Sequence, residues 1–214
     1  MENAGQLNKG LLLAMMEPPA NLEEEFQDWY DGEHFPERKG CAGFETAGRF
    51  VCIEGWPRYL ALYDLTNVDV LRGEAYSAIA VRRYSPWTHR IMSKVWGQFR
   101  AEGVQTYPGT ELLGANGPCA RLVLWRFNGV PAAQESSLAD ALRKLYGDRP
   151  ETAQVRLFRV AQAAANDYIG LVELRGPGAT ADAALLGELG QHVDMVNTYV
   201  RYVRQAPGAF PASS

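Results

Sequence analysis

The chain has 214 residues, 47% of them hydrophobic and 21% charged, the balance of a folded protein with one large domain or two of about 100 residues. Its net charge of −4 and pI near 5.5, without any run of basic residues, leave no electrostatic footprint for nucleic acid or an anionic membrane. Cys41, Cys52 and Cys119 are odd in number and lack CxxC spacing, which argues against a disulfide framework or a structural zinc site and points to a reducing cytoplasm.

A solid apolar run at 11–16 predicts a strand. It ends at Glu17 and the Pro18-Pro19 pair, too short for a signal-peptide core or a membrane span. Asn21 can cap a helix that runs to His34. After Gly43, strands are expected at 44–53 and 59–65, with Gly55 and Pro57 between them making a hairpin. A second helix starts near Asn67 with Val68, Leu71, Ala75 and Ile79 on one face, and Ser85-Pro86 opens a short extra helix as N-cap and first-turn proline. A closing strand follows at 99–107. Pro108-Gly109 and the segment 114–118 supply a linker, after which the order repeats: strand 121–127, helix 136–146, strands 153–160 and 168–174, helix 181–195 and strand 199–204.

The plan is βαββαβ twice. One such unit makes an antiparallel sheet with both helices on one face and an uncovered apolar face on the other, so two units can cover each other. The expected fold is α+β: two tandem ferredoxin-like halves, 1–112 and 113–214, packed sheet to sheet as a dimer within one chain.

The first helix carries the densest chemistry. At about 100° per residue, Leu22, Phe26 and Trp29 share one narrow stripe, and Glu33 falls in the middle of it. Tyr30 and His34, four residues apart, line one flank of the stripe. Gly32 is a position where the helix could end early and turn Glu33 away.

The run WYDGEHFPER at 29–38, the Gly43-Phe44 pair, Arg49 and the strand ending in Tyr63-Asp64 resemble the helix, GF turn and two strands of the dimeric α/β-barrel superfamily, in particular the branch named for ethyl tert-butyl ether degradation. Gly32 stands where that branch often has threonine. The likeness covers roughly 10–107 in sequence, and beyond that rests on topology. It implies a pocket between the sheet and the helices of one half rather than at the barrel centre. Members of the superfamily include cofactor-free monooxygenases, polyketide cyclases, lactone isomerases, decarboxylating enzymes and haem proteins, so architecture alone leaves the reaction open. In the second half the corresponding helix offers Leu138, Ala141, Leu142 and Leu145 with no histidine or acid, so a single site in the first half is expected.

His34 is the candidate general base or acid, since imidazole moves protons near neutral pH; as a packing element it would cap the helix C-terminus. Glu33 is the candidate to orient it or to act as a base itself, against a reading as an ion-pair partner of Arg38 or Arg49. Tyr30 and Arg49 are candidates to stabilise an enolate or phenolate, against readings as core aromatic and solvent-facing cation. Trp29, Tyr63, Trp87 and His89 are candidate substrate contacts, with the Trp87, His89 and Arg90 group on the extra helix forming either a lid or a plain surface helix. His192 reads as a satisfied core histidine on the last helix.

The histidines have no paired metal spacing, and there is no GxGxxG, phosphate loop or GxSxG elbow, so no metal and no cofactor are expected. The expected function is a cofactor-independent enzyme of isomerase, cyclase, lyase or monooxygenase type that abstracts a proton from a small apolar, aromatic or polyketide-like carbonyl compound. The alternatives are a non-catalytic small-molecule binding or stress protein, and a haem-binding barrel with His34 or His89 as axial ligand. A small molecule is the expected partner, without nucleic acid or membrane, in a monomer or homodimer.

Overall fold

The computed structural model describes residues 8–80, 83–161, 166–178 and 182–204. Strands β1 (Gly10–Glu17), β2 (Phe44–Glu54), β3 (Tyr59–Leu65) and β4 (Trp96–Tyr107) belong to the first half of the chain. Strands β5 (Arg121–Phe127), β6 (Thr152–Val160), β7 (Tyr168–Leu174) and β8 (Val193–Arg201) belong to the second. The eight close into one barrel in the order β1-β3-β2-β8-β5-β7-β6-β4, each neighbouring pair antiparallel, with β4 returning to β1. The two halves are therefore ferredoxin-like sheets that face each other and are also stitched edge to edge, through β2 with β8 and β4 with β6. Closure removes the free sheet edges that an open pair would expose.

Strands β1, β3, β5 and β7 are buried along nearly their whole length on both faces, which is why they read as largely apolar runs. All seven residues of β3 are buried. Leu11, Leu13 and Met15 fill the lumen with Phe50, Leu60, Leu62 and Leu124, while Leu12 and Met16 face the first-half helices with Leu22, Phe26 and Trp29. A third layer packs Trp125, Phe127, Val155 and Leu157 against Leu138, Leu142 and Tyr146 of the second-half helix. Each large side chain so buried stabilises the fold by roughly 1.5–3 kcal/mol.

One end of the lumen is polar. Arg156, Asp64 and Glu173 are all fully buried there. Arg156 Nη1 donates to Asp64 Oδ1 at 2.7 Å, and its Nη2 lies 2.9 Å from Glu173 Oε1. The linker after β4 closes over this triad: Leu113 N–H donates to Asp64 Oδ2, and Gly114 N–H donates to Glu173 Oε2 at 2.8 Å. Burial pushes the Glu173 carboxyl up, with Arg156 opposing.

Helices α1 (Glu23–Trp29) and α2 (Phe35–Lys39) are joined by a π turn, Tyr30–His34. Then come α3 (Glu74–Ser77), α4 (Pro86–Met92) and α5 (Glu135–Tyr146). Two expected helices differ. The one from Asn67 is split into a 3₁₀ turn, Val68–Arg72, and the short α3, because the chain is extended at Gly73. The one over 181–195 is a 3₁₀ segment, Ala183–His192, broken by Gly187 at φ 60°; Met195 and Val196 lie in β8. Its expected start, Ala181, falls outside the described residues. His192 is accordingly half-buried rather than in the core, with Nδ1 3.1 Å from Asn128 O.

Candidate functional site

The π turn sets the site. Pro36 has no N–H to give the carbonyl four residues back, and its ring crowds that carbonyl, so a regular α turn is unfavourable here. The Phe35 N–H bonds instead to Tyr30 O. An i→i+5 turn holds one residue more than an α turn, so each side chain after it is set back by one helical position, about 100°. His34 thus takes the inward place that unbroken helix would give Glu33. His34 is 7% exposed, whereas Glu33 is only half-buried.

His34 sits 4.2 Å from the Trp29 ring and 5.2 Å from the Tyr30 ring, centroid to centroid. It faces a cavity of about 300 Å³ between the first-half sheet and its helices. The walls are Leu12, Ala14 and Met16 of β1, Tyr30, His34 and Arg38 of the helix, Tyr63 of β3, Tyr76, Tyr84 and Met92 from the segment above, and Phe99 and Arg100 of β4. This volume is at the lower end for small-molecule sites. A larger cleft of about 540 Å³ lies on the second half beside α5, lined by Asp140, Arg143, Lys144 and Asp148. It is more open, charged and without a histidine, so the smaller and more sheltered cavity is the stronger candidate for chemistry.

Burial, then the charges of Arg38 and Arg49, hold the His34 pKa well below the ordinary 6.5, so its ring is neutral at neutral pH. Its Nδ1 is buried without a hydrogen-bond partner, and so is the Tyr63 hydroxyl. Burial pushes Tyr30 up to about 12 against the opposing Arg49 and Arg38, and pushes Tyr63 well above its usual range. Both phenols remain protonated and offer O–H donors. Arg38, 4% exposed, adds a cation to the wall, its Nη1 donating to the His34 carbonyl at 3.2 Å and to Glu37 Oε2 at 3.3 Å.

The sequence-derived candidates divide. Tyr30, His34 and Tyr63 meet at the cavity, and Trp29 backs the imidazole from behind. Glu33 does not orient His34: its Oε1 accepts from Ser85 Oγ and from Thr88 Oγ1 at 2.9 Å, fastening α4 to the first helix. Thr88 Oγ1 also accepts from Trp29 Nε1 at 2.9 Å, so the three residues form a chain. Arg49 is buried rather than solvent-facing, but its guanidinium is taken by Asp31 and Gln27 and stacked between the Tyr30 and Tyr202 rings at 4.3 and 4.1 Å. It does not line the cavity. Trp87 is half-buried and His89 exposed against Tyr84, and neither lines it; Arg90 pairs with Glu25 at the surface. Helix α4 reaches the cavity through Met92 instead.

Arg38, Tyr76, Tyr84 and Arg100 were not signalled as site residues by sequence. For Arg38 a signal existed, its spacing of four from His34; the other three arrive by tertiary approach. Among the described residues no three histidine, cysteine or acidic side chains gather as a metal site. Neither imidazole fits a haem. The His34 ring is held between two aromatics over a cavity of only about 300 Å³, and His89 is exposed and does not line that cavity.

No family model and no curated protein matches the chain. Solved structures do. An anthrone oxidase-like protein superposes with a TM-score of 0.56 at 12% identity, covering 100% of this chain and 99% of its own. A monooxygenase-like protein from Lactobacillus acidophilus NCFM gives 0.52 at 10% identity, over 91% and 94%. A mutant chlorite dismutase from Candidatus Nitrospira defluvii in complex with cyanide gives 0.57 at 9% identity, over 93% and 92%. These are dimeric α/β-barrel proteins with two ferredoxin-like halves, the architecture seen here. At such identities the likeness speaks for the fold alone.

Proposed function

We propose that the chain is a cofactor-independent enzyme of the branch named for ethyl tert-butyl ether degradation, with its working site in the first half (1–112) and a structural second half (113–214). It takes a proton from a carbon acid, a small flat aromatic carbonyl compound. The observation that carries this reading is a neutral imidazole whose buried Nδ1 has no partner, set beside a buried guanidinium in a partly sheltered, mostly apolar cavity. An unpartnered buried nitrogen costs stability and invites a substrate hydrogen.

In this reading the His34 imidazole accepts the proton from carbon, and the electron pair moves to the carbonyl oxygen. Arg38 and the O–H of Tyr63 or Tyr30 stabilise the resulting enolate or phenolate, the task assigned to Arg49 on sequence grounds. Aromatic and methionine walls exclude water and hold a flat ring system. The anthrone oxidase-like and monooxygenase-like neighbours support oxygen insertion as the next step. An anthrone and one O₂ would give an anthraquinone and one water, with balanced atoms and electrons.

Anthrone is the probe. Deuterium uptake at its methylene carbon, oxygen consumption and quinone absorbance are followed with the native chain, His34→Ala and Arg38→Met. Acid–base catalysis contributes about 10²- to 10⁴-fold, so His34→Ala should lose at least about 100-fold in exchange while still binding anthrone. Binding without exchange above the buffer rate would establish a container and overturn the enzyme.

A further inference from the structure

On the far side of Arg49 from the cavity lies a second concavity of about 270 Å³, between the helix that carries Asp31 and Lys39 and the adjoining strands β2 and β8. Its charge is one-sided. Lys39, Arg49, Arg201 and Arg204 line it, with Asp31 as the sole lining acid. Asp31 is shared between Arg49 and, at 3.5 Å, Arg204, while Asp28 holds the other edge of Arg204 at 2.6 Å. Lys39 and Arg201 have no carboxylate partner among the described residues; Arg201 has only a long 3.5 Å contact to Ala47 O and a place over the Phe50 ring. Four cations from three separate elements thus face two acids, Asp31 and Asp28, which leaves Lys39 and Arg201 as the surplus positive charge, in a chain that is acidic overall.

The floor is built rather than incidental. Arg49 is 6% exposed and pinned between the Tyr30 and Tyr202 rings, so one cation is fixed in place before any ligand arrives. Tyr202 is itself anchored by its N–H to Arg49 O at 2.8 Å. Phe35 and Tyr202 give the concavity an aromatic side wall.

We infer that this groove is a binding site for a small phosphate-bearing molecule. A phosphate monoester carries close to two negative charges at neutral pH and presents several acceptor oxygens, which suits guanidinium forks and an ammonium better than a single carboxylate does. The space exceeds that of a bare phosphate ion, and the aromatic wall suits an attached ring. The site is separate from the His34 cavity and does not depend on the reaction proposed for it.

The test is calorimetric titration of the whole protein at fixed ionic strength with inorganic phosphate, phenyl phosphate and, as a charge control, methanesulfonate. Phenyl phosphate should bind with a Kd of about 1 mM or tighter. Arg201→Ala and Arg204→Ala are exposed changes that leave the fold intact, and each should weaken binding by about tenfold or more. Equal affinity for phosphate and phenyl phosphate would assign the site to the free ion, and stronger binding of the ester would assign it to an ester; both uphold a phosphate site. No saturable heat with either phosphate compound, or binding that both variants retain in full, overturns it, as does methanesulfonate binding as tightly as the phosphates.

Discussion

Replacing Arg156 by Met would expose what the buried triad does for the fold. Asp64, Arg156 and Glu173 are fully buried, and the variant keeps volume while leaving two carboxylates to face each other without a cation. Breaking a buried ion pair by removing one partner costs about 3–5 kcal/mol, a large fraction of the roughly 5–15 kcal/mol that holds a domain together. The loss should depend on pH. Burial already raises the Glu173 pKa above 4.5, so above 4.5 the native state holds more of this proton than the unfolded chain, and stability falls as pH rises through the folded pKa. Without Arg156 that pKa climbs further. Arg156→Met should therefore regain stability on acidification from pH 8 towards pH 5, by up to about 1.4 kcal/mol per pH unit for each proton taken up. Urea unfolding across that range, followed by far-UV circular dichroism, measures it. The triple change Asp64→Asn, Arg156→Met, Glu173→Gln should recover most of the loss, since an apolar or neutral replacement of a whole buried cluster is often neutral. A variant within about 1 kcal/mol of the native chain at every pH would refute the reasoning.

Three other outcomes are expected. The folded pKa of His34 lies below its unfolded value near 6.5, so the native chain should keep its full stability above that pH and lose up to about 1.4 kcal/mol per unit below it; in His34→Gln the acid limb of the urea-midpoint profile should flatten. Glu33→Ala removes the shared acceptor of Ser85 and Thr88, and at about 1–3 kcal/mol should speed amide exchange in α4 while sparing α5; unchanged protection in α4 would contradict the fastening role. Gly43 has φ 88° and a Cβ there would lie 2.5 Å from Val70 Cγ2, whereas Gly129 has φ 65° and open space. Both alanine variants should lose about 1 kcal/mol or more to backbone strain, and Gly43→Ala should lose the more by thermal unfolding.

Much of the fold is legible in local pattern because local chemistry decides it. Strands 59–65, 121–127 and 168–174 coincide with β3, β5 and β7 to the residue, since apolar runs bounded by Gly, Pro, Asn and Asp leave little choice of limits. Ser85 caps α4 as its place before the first-turn Pro86 predicts, accepting from the Thr88 N–H at 3.0 Å. The helices expected from Asn67 and over 181–195 are broken at Gly73 and Gly187, where apolar spacing suggests continuity but the backbone leaves helical geometry.

The amino-acid sequence by itself determines the order of elements, the ferredoxin-like repeat and the crowding of Tyr30, Glu33 and His34 into one helix, because apolar period, caps and turn residues act over a few positions. Which of those side chains looks inward is decided in three dimensions. A single extra residue in the Tyr30–His34 turn exchanges the places of an acid and an imidazole, a rotation that a fixed 100° step cannot register. Tertiary packing likewise pulls Arg49 to Asp31 and Gln27, brings Arg38 and Arg100 to the cavity, and joins β2 to β8 and β4 to β6. These are contacts between residues far apart in the chain, set only when the layers close on one another and each buried polar group must find its partner.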